Sequence, residues 1–432
     1  MRTSIYTATL RMKLLMLLGV VLSLCLQSCG TVANSPVNTT IINFWVREND
    51  KAFTVPLVNA YNASHVNKVR LKVIPAEAFV TKFNTAITAG EPPDVIAIDL
   101  IYLPAFNAAH QMEDITELAH RLPFFSKLSR SHINLATYNG KLYGLPYSAD
   151  GSILLYNKTL FTQAGLDPNT PPTTWNEIEA DSKKITVLGN GNKGFYFSGR
   201  CAGCNAFTIL PLIWAGGGDV LSSDYSTATL MSPAVKNALA FYHRLWVEGQ
   251  MPQGAMDDNG NHGANFIDAF TTGKIGMIGG GVFAIALLKS QYPKINFGVT
   301  YLPGENGGTS SFAGGDTIGI PRGSKHPAEA FDFMTWCLSS QTQVDLLAKN
   351  SQVPVRTDLG VNKYSLRDPR YVTASNAFSQ GRTPYSTHYN QLFNDANGPW
   401  ITAIQRAVFD GRIDEALATA QQQSAQILSS PA

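Results

Sequence analysis

Apolar residues in the first hundred positions fall into two kinds of run. Residues 41–46 (IINFWV), 69–74 (VRLKVI) and 93–99 (PDVIAID) are short and rich in apolar residues, which predicts strands. Between them, residues 50–61 and 77–89 carry apolar side chains three and four positions apart, which predicts helices. This β-α-β-α-β order predicts an α/β fold built on a parallel sheet with helical crossovers.

Aromatic and charged side chains follow the three predicted strands. In open parallel sheets, ligands bind beyond the carboxyl ends of the strands. The sequence therefore predicts that the residues just past those ends meet at one edge of the sheet. They are Trp45, Arg47, Pro75, Glu77 and Asp99. An aromatic ring, a cation and two carboxylates would lie together there.

The rest of the chain continues to alternate between predicted strands and helices. Thr174 and Glu177 have the spacing of a capping box and predict the start of a helix. Residues 274–278 and 311–321 predict strands, and residues 414–428 predict a final amphipathic helix. No internal repeat is visible, so these elements are not copies of the first ones.

Residues 140–161 (GKLYGLPYSADGSILLYNKTLF) predict an extended crossover between two bodies of protein. Two glycines and a proline break any helix in its first half. An apolar run, Ile153-Leu154-Leu155-Tyr156, follows. Loops between rigid elements tend to carry function, so Tyr147 and Asp150 are predicted to face a ligand.

Length and charge narrow the class of protein. The chain has 432 residues, too many for one ordinary domain, and 44% hydrophobic with only 15% charged residues indicates a globular protein. Three basic residues lie within the first 28 positions, and the remainder, with 30 basic and 31 acidic residues, is nearly neutral. Proteins that bind nucleic acids carry an excess of basic residues, and this composition has none, so it gives no support for nucleic-acid binding.

The first 28 residues predict a secretory signal peptide. Basic residues precede an apolar run at 14–26 that is 13 residues long, whereas a membrane-spanning helix needs about 20. Leu26-Gln27-Ser28-Cys29 resembles a bacterial lipobox, which predicts lipidation of Cys29 and a polar tether over residues 29–40. An ordinary signal peptide cleaved nearby, with Cys29 incidental, is the alternative.

Cys201 and Cys204 form a single CxxC motif. A zinc site needs two further ligands at matching spacing, and the redox motif needs a thioredoxin-like β-α-β pattern; neither is visible. Outside the cytoplasm, a short-loop disulfide is favoured. The eight histidines show no metal-ligand spacing, so no metal is expected.

Several blocks of sequence, in register over most of the chain after residue 40, resemble family 1 extracellular solute-binding proteins, the carbohydrate-type receptors of ABC importers. Besides the strand that ends in Trp45, the blocks are GEPPDV, GKLYGLPYSADGSILLYNKTLF, PPTTW, FTTGKIGMIGGGVF, AGGDTIGIPRGSKHPAEAFDFMTWCLS and NSQVPVR. The resemblance implies a two-lobe periplasmic-binding-protein fold of type II, with a ligand cleft between the lobes. Residues 41–147 and 309–340 would form one lobe, and residues 152–300 and 345–425 the other.

The resemblance also implies a set of ligand contacts. Carried over position by position, they are Trp45, Arg47, Glu77, Asp99, Tyr147, Asp150, Trp214, Gly281, Phe283, Gly315, Asp316, Gln352 and Arg356. Carboxylates would accept hydrogen bonds from sugar hydroxyls, and rings would cover the apolar C–H faces of the sugar. Phe283 stands where many members have tryptophan, so it keeps a stacking face but lacks the indole donor.

Other interpretations of these residues remain open at the level of sequence. Trp214 is as readily a core residue as a cleft residue, because large aromatic side chains are mostly buried. Asp99 can simply cap the following segment, and Arg47 can be a solvated surface residue. Arg356 can pair with a carboxylate across the hinge instead of touching a ligand.

The resemblance implies a lipid-anchored, extracytoplasmic, monomeric receptor that delivers a sugar or oligosaccharide to permease subunits, with no cofactor and no catalytic step. Three alternatives stay open. One is the same role for glycerol 3-phosphate or another polyol phosphate, met by Arg47 or Arg356. The second is a lipid-anchored glycoside hydrolase, because four acids in a cleft could supply the two carboxylates that such enzymes need. The third is an adhesion lipoprotein with an exposed apolar patch.

Overall fold

Two mixed β-sheets, each covered by helices, are found in the computed structural model, which describes residues 39–260 and 266–431. The strands are β1 (Ile41–Arg47), β2 (Lys68–Ile74), β3 (Val95–Asp99), β4 (Thr137–Tyr138), β5 (Lys141–Leu142), β6 (Leu145–Pro146), β7 (Asp150–Asn157), β8 (Lys193–Tyr196), β9 (Ile275–Gly281), β10 (Phe297–Thr300), β11 (Leu302–Pro303), β12 (Thr309–Ser310), β13 (Ala313–Gly314) and β14 (Asp316–Gly319). The α-helices are α1 (Lys51–Ser64), α2 (Ala76–Thr88), α3 (Leu103–Ala108), α4 (Thr116–His120), α5 (Arg130–Ala136), α6 (Lys158–Gln163), α7 (Trp175–Val187), α8 (Ala202–Ala215), α9 (Pro233–Val247), α10 (Asp268–Thr271), α11 (Phe283–Gln291), α12 (Pro327–Cys337), α13 (Pro369–Gln380), α14 (Pro399–Ile404) and α15 (Ile413–Leu428).

Shorter helical turns lie between these elements. The 3-10 turns are Glu48–Asp50, Leu100–Tyr102, Phe125–Lys127, Gln253–Ala255, Ala348–Asn350, Thr357–Leu359 and Ser365–Arg367, and the π-helical segments are Thr342–Leu347, Asn390–Asn394 and Gln405–Phe409. The predicted signal peptide, the lipidation site Cys29 and nearly all of the predicted tether lie outside the described residues. Over the part of the chain that is described, no helix has both the length and the apolar character needed to cross a bilayer.

The first sheet has the strand order β2-β1-β3-β14-β6. β1 runs parallel to β2 and to β3, as the sequence pattern predicted, whereas β14 is antiparallel to β3. Alternate residues of β1 face opposite sides of the sheet. Phe44 is buried in a core shared with α1 and α12, and Trp45 packs on the other side, in a cluster that contains Phe79 and Phe83 of α2.

The second sheet has the order β10-β7-β9-β8, with β13 paired to the start of β7. β7 is antiparallel to both of its long neighbours, and seven of its eight residues are buried. Because β7 is central and covered on both faces, its apolar run carries no alternation. Residues of α7, α8, α9, α14 and α15 contribute to the large core on one side of this sheet.

Two neighbouring segments connect strands of the first sheet to strands of the second. The chain leaves β6 of the first sheet and enters β7 of the second through residues 147–149. It returns from β13 to β14 through Gly315, which divides the strand predicted over residues 311–321. Gly315 has φ +109°, and a Cβ atom there would lie 2.1 Å from the carbonyl oxygen of Ser148. Only glycine fits this close approach of the two crossing segments.

Cys201 and Cys204 form a disulfide at the beginning of α8. Cys204 lies inside the first turn of the helix, and Cys201 is the residue that precedes it. Cys337, in the last turn of α12, is a buried free thiol.

Candidate functional site

Arg47, Asp99 and Asp316 form an ion-pair cluster where the ends of β1 and β3 meet the start of β14. Arg47 Nε donates to Asp316 Oδ2 at 3.0 Å, and its Nη2 donates to Asp316 Oδ1. Its Nη1 donates to Asp99 Oδ2 at 3.3 Å. The register explains this meeting, because Asp316 is the antiparallel partner of Asp99 on the adjacent strand. The cluster joins three strands at one edge of the first sheet.

The buried position of Asp316 makes its pairing with Arg47 necessary. The Asp316 side chain is 1% exposed and that of Arg47 is 16% exposed. Burial would raise the pKa of Asp316, but the charge of Arg47, together with hydrogen bonds from Asp50 and Arg47, holds that pKa below its ordinary value. Burial would likewise lower the pKa of Arg47, and the charges of Asp316 and Asp99 keep it above the ordinary value. Arg47 and Asp316 are therefore both ionised, and the charge of each one stabilises the charged form of the other.

Asp50 belongs to the same cluster, although the sequence pattern did not single it out. It is a buried residue at the beginning of α1. Burial, followed by the negative charge of Asp316, raises its pKa well above the ordinary value, and its side chain hydrogen-bonds to Asp316. A protonated Asp50 therefore donates to the Asp316 carboxylate. The only sequence signal was an acid at the start of a predicted helix, which is an ordinary surface feature.

Asp99 has two roles in the structure. Its Oδ1 accepts a hydrogen bond from the backbone N–H of Ile101 at 3.3 Å, which caps the 3-10 turn Leu100–Tyr102. Its Oδ2 accepts from Arg47. Burial raises the pKa of Asp99 to about 6, and Arg47 opposes that rise. Because 28% of the side chain remains exposed, Asp99 presents acceptor capacity to solvent.

Asp150, Gly281 and Phe283 form the part of the site that belongs to the second sheet. Asp150 Oδ1 accepts from the backbone N–H of Val282 at 2.8 Å. A Cβ atom at Gly281 would lie 2.6 Å from this oxygen, so glycine leaves the room that the carboxylate occupies. Phe283 begins α11, is 36% exposed and meets Phe266 edge-on with 5.7 Å between ring centroids.

The two parts of the site interact electrostatically. Burial raises the pKa of Asp150 to about 7; the charge of Asp99 raises it further, and that of Arg47 lowers it. Tyr102 and Tyr389 also lie near Asp99, because its charge contributes to raising the pKa of both hydroxyls. The structure therefore brings acids from both sheets, one exposed phenylalanine and two tyrosines together beside the crossing segments.

The unusual pKa of Asp150 leads to a prediction about pH. In the unfolded chain this carboxyl ionises near pH 4, whereas in the folded chain it does so at about 7. Between about pH 4 and 7 the folded state therefore binds more protons, and its advantage in free energy declines as pH rises. We expect Asp150→Asn to make the decline shallower by the share of this one group, while Asp99, whose pKa is about 6, keeps its own share; urea unfolding at a series of pH values across that window measures the difference.

Asp114→Asn is the matched control for this pH series. Hydrogen bonds, of which the one from the Thr116 side chain has the largest effect, lower the pKa of Asp114 to about 2. This group therefore stays ionised in the folded chain throughout the window. The control should leave the slope of stability against pH unchanged above about pH 5. If the unfolding free energies of Asp150→Asn and of the unsubstituted chain fell in parallel with pH, Asp150 would not be the group that is protonated in this window.

Two predicted aromatic contacts, Tyr147 and Trp45, are covered by other side chains in the structure. Tyr147 is 2% exposed, packs against Phe44, and shares a 2.7 Å hydrogen bond between its hydroxyl and Thr54 Oγ1. Lys72 Nζ lies 4.1 Å from the ring centroid of Trp45, above one face of the indole. Tyr147 is thus a core residue of the first sheet, because the chain turns its ring inward before it enters β7.

Trp214 is a mostly buried residue whose ring also contacts Arg382. It is 7% exposed, and its Nε1 donates to Asp219 Oδ1 at 3.0 Å. Phe312 stacks at 6.1 Å between ring centroids, and the guanidinium of Arg382 lies 4.8 Å from the ring centroid of Trp214. The sequence left open whether Trp214 is a core or a cleft residue, and in the structure most of its ring is buried in the core.

The remaining predicted contacts lie apart from the cluster. Arg356 forms a paired hydrogen bond with Asp358, at 3.1 Å from Nε and 2.7 Å from Nη2, and its guanidinium covers the ring of Phe124 at 4.6 Å. It thus pairs with a carboxylate two residues away in sequence. Glu77 is exposed in the first turn of α2. Gln352 lines a different cavity, beside Tyr371.

Comparison with known proteins agrees with this architecture. The family described as bacterial extracellular solute-binding protein matches residues 45–344. A maltooligosaccharide ABC transporter solute-binding lipoprotein of Streptococcus pneumoniae is 26% identical over 351 residues, 78% of each chain. A galactooligosaccharide-binding protein of Bacillus subtilis is 24% identical over 418 residues, 93% of this chain and 94% of the relative.

A solved structure shows the same fold. The sugar-binding protein MalE of Xanthomonas citri superimposes with a TM-score of 0.79 at 21% identity, over 90% of this chain and 98% of that one. The predicted two-lobe α/β fold is confirmed by this likeness. With the family match covering more than half of the sequence, the predicted family is confirmed as well. The chain belongs to the bacterial extracellular solute-binding proteins, and it is therefore a binding protein rather than an enzyme.

Proposed function

We propose that this protein is the substrate-binding component of an ABC importer, and that it binds a sugar or oligosaccharide between its two sheets. The observation that carries the proposal is the meeting of Asp99 from the first sheet with Asp150 and Phe283 from the second. Relatives named for maltooligosaccharides and galactooligosaccharides support a carbohydrate as the class of ligand. In this role the receptor would hand its ligand to permease subunits, as a monomer anchored outside the cytoplasm through a lipid on Cys29.

Each proposed contact has the chemistry that a sugar requires. Asp99 and Asp150 present carboxyl oxygens that can accept hydrogen bonds from hydroxyls, and charged acceptors form the stronger hydrogen bonds. The exposed ring of Phe283 can cover a C–H face of the sugar. Gly281 and Gly315 allow the backbone to approach Asp150 closely, and Glu77 is exposed in the first turn of α2.

Arg47 and Asp316 act as positioning residues in this proposal. The Arg47 guanidinium directs its hydrogen bonds to Asp316 and Asp99. A ligand that took a hydrogen bond from Arg47 would have to compete with a buried carboxylate. The pair therefore fixes the strand ends and holds the oxygen of Asp99 in place.

A polyol phosphate is less well supported as the ligand of this site. The sequence offered Arg47 or Arg356 as the group that would meet the phosphate. Arg47 is bound by Asp316 and Asp99, and Arg356 is bound by Asp358. The carboxylates of Asp316 and Asp99 beside Arg47 would repel a doubly charged phosphate at this edge of the first sheet.

Isothermal titration calorimetry against a panel of mono- and oligosaccharides tests the proposal. We expect one class of sugar to bind, and we expect Phe283→Ala to weaken that binding about tenfold, since an aromatic contact contributes about 1 kcal/mol beyond the area it buries. Phe283→Trp is the matched control and should retain binding, because the indole offers at least as large a face. If no sugar in the panel bound, the proposed function would be contradicted. If Phe283→Ala bound as tightly as the unsubstituted chain, Phe283 would not belong to the site.

A further inference from the structure

A cavity of about 240 Å³ lies at the far end of α11. It is lined by the last turn of α11, by residues 348–354 and by the segment that leads into α13. Among the described residues of its wall, Lys289, Lys349 and Arg367 are cations and Asp368 is the single acid. We call it the cationic cavity.

The charge of Asp368 is already neutralised. Lys289 Nζ donates to Asp368 Oδ2 at 2.8 Å, and Arg370 donates to both carboxylate oxygens, from Nε and Nη2, at 2.8 Å each. Among residues 39–260 and 266–431, neither Lys349 nor Arg367 has a carboxylate partner. The wall of the cationic cavity therefore carries net positive charge.

A buried hydroxyl reinforces this preference for an anion. Tyr371 lines the cavity and is 7% exposed, yet its Oη makes no hydrogen bond of normal geometry within the described residues. Ser351, also in the wall, is close enough to interact with it. A buried polar atom left without a full hydrogen bond costs stability, and an acceptor inside the cavity would complete it.

The cationic cavity is distinct from the proposed sugar site. Phe283 begins α11, and Lys289 lies six residues later, which places them about 9 Å apart along the helix axis. Gln352, which the family resemblance assigned to the main ligand site, lines the cationic cavity. No acid of the Arg47 cluster belongs to its wall.

We propose that the cationic cavity binds a small phosphate-type oxyanion. Lysine and arginine side chains with hydroxyl donors nearby are the usual partners of phosphate oxygens. Pockets for larger organic ligands occupy about 300 to 1,000 Å³, so a cavity of about 240 Å³ suits an anion of few atoms. Lys349, Arg367 and Tyr371 supply the donors that no carboxylate in the described chain already engages.

Titration of the full chain with inorganic phosphate at constant ionic strength, followed by NMR chemical shifts, tests this site. We expect saturable shifts confined to the cationic cavity. Lys349→Gln and Arg367→Gln should each weaken binding about tenfold, and Tyr371→Phe about threefold, which are the ranges for charged and neutral hydrogen bonds. A parallel titration with methyl phosphate distinguishes the source, because tighter binding of the ester would point to a phosphorylated metabolite and tighter binding of phosphate to the free ion.

Lys294→Gln is the matched control, since this exposed lysine lies past the end of α11 and outside the cavity wall. It removes the same charge and should leave phosphate binding unchanged. Absence of saturable binding would overturn the proposal. So would binding that survives in all three cavity variants, or that falls equally in Lys294→Gln. Sugar binding measured on the same samples confirms that each variant is folded, and its outcome is independent of the phosphate result.

Discussion

Replacing Arg47 with methionine is expected to lower the free energy of unfolding by about 3 to 5 kcal/mol, the usual cost of removing one partner of a buried ion pair. The physical reason is the carboxylate left behind. Asp316 is 1% exposed and relies on Arg47 for two of its hydrogen bonds. Asp99 would lose the same partner. Urea unfolding at neutral pH, with the midpoint and slope fitted separately, measures the loss.

Two companion variants make the Arg47 result decisive. Arg412→Met breaks an exposed pair with Glu415, whose side chains are 53% and 52% exposed, and should cost much less than Arg47→Met because solvent screens the pair. Arg47→Met combined with Asp316→Asn removes the buried charge together with its partner and should recover part of the loss. Equal costs for Arg47→Met and Arg412→Met would mean that the buried cluster contributes no more than a surface pair.

Gly315→Ala is expected to have the second largest effect, a loss of about 3 kcal/mol or more, since left-handed strain costs about 1 to 3 kcal/mol before any clash is counted. The added methyl group would lie 2.1 Å from the Ser148 carbonyl oxygen and 3.1 Å from the Asp150 amide nitrogen, and both of these are backbone atoms. Neither can rotate away. Either the segment between β13 and β14 or the one between β6 and β7 would have to move.

Gly165→Ala separates backbone strain from the clash. Gly165 has φ +73°, and no neighbouring atom lies within 4 Å of the place that an added methyl group would take, so only the strain of about 1 kcal/mol should appear. Urea unfolding compares the two variants, and sugar titration of the same samples reports on the site. Because Asp150 follows Ser148 closely, we expect Gly315→Ala to weaken binding and Gly165→Ala to leave it intact. Equal losses of stability in both variants would show that the close approach is not tight.

Elements specified by local chemistry could be predicted from the sequence. The capping box of Thr174 and Glu177 is present at the start of α7, with both reciprocal hydrogen bonds formed. The three apolar runs of the first hundred residues are β1, β2 and β3, in parallel pairing. Because parallel strands end at one edge, the meeting of Arg47 and Asp99 also followed from the pattern.

Features that depend on distant partners could not be predicted. Burial and then the negative charge of Asp316 raise the pKa of Asp50, and the sequence around Asp50 contains no sign of either influence. Tyr147 faces the core because of Phe44 and Thr54, which belong to other elements. The break at Gly315 follows from the backbone of Ser148. In each case the residue type is plain in the sequence, and tertiary packing decides its surroundings.

The place of β14 has a consequence for biosynthesis. This strand lies between β3 and β6 in the first sheet, although β3 ends at residue 99 and β14 begins at residue 316. Asp316, the principal partner of Arg47, is therefore synthesised 269 residues after it. While the ribosome is still translating the middle of the chain, the first sheet has a gap and unpaired strand edges, and Arg47 has Asp99 but not yet Asp316 as a partner. Such long-range closure slows folding, so the nascent polypeptide stays unfinished, and accessible to chaperones or a translocation channel, until residue 319 has emerged.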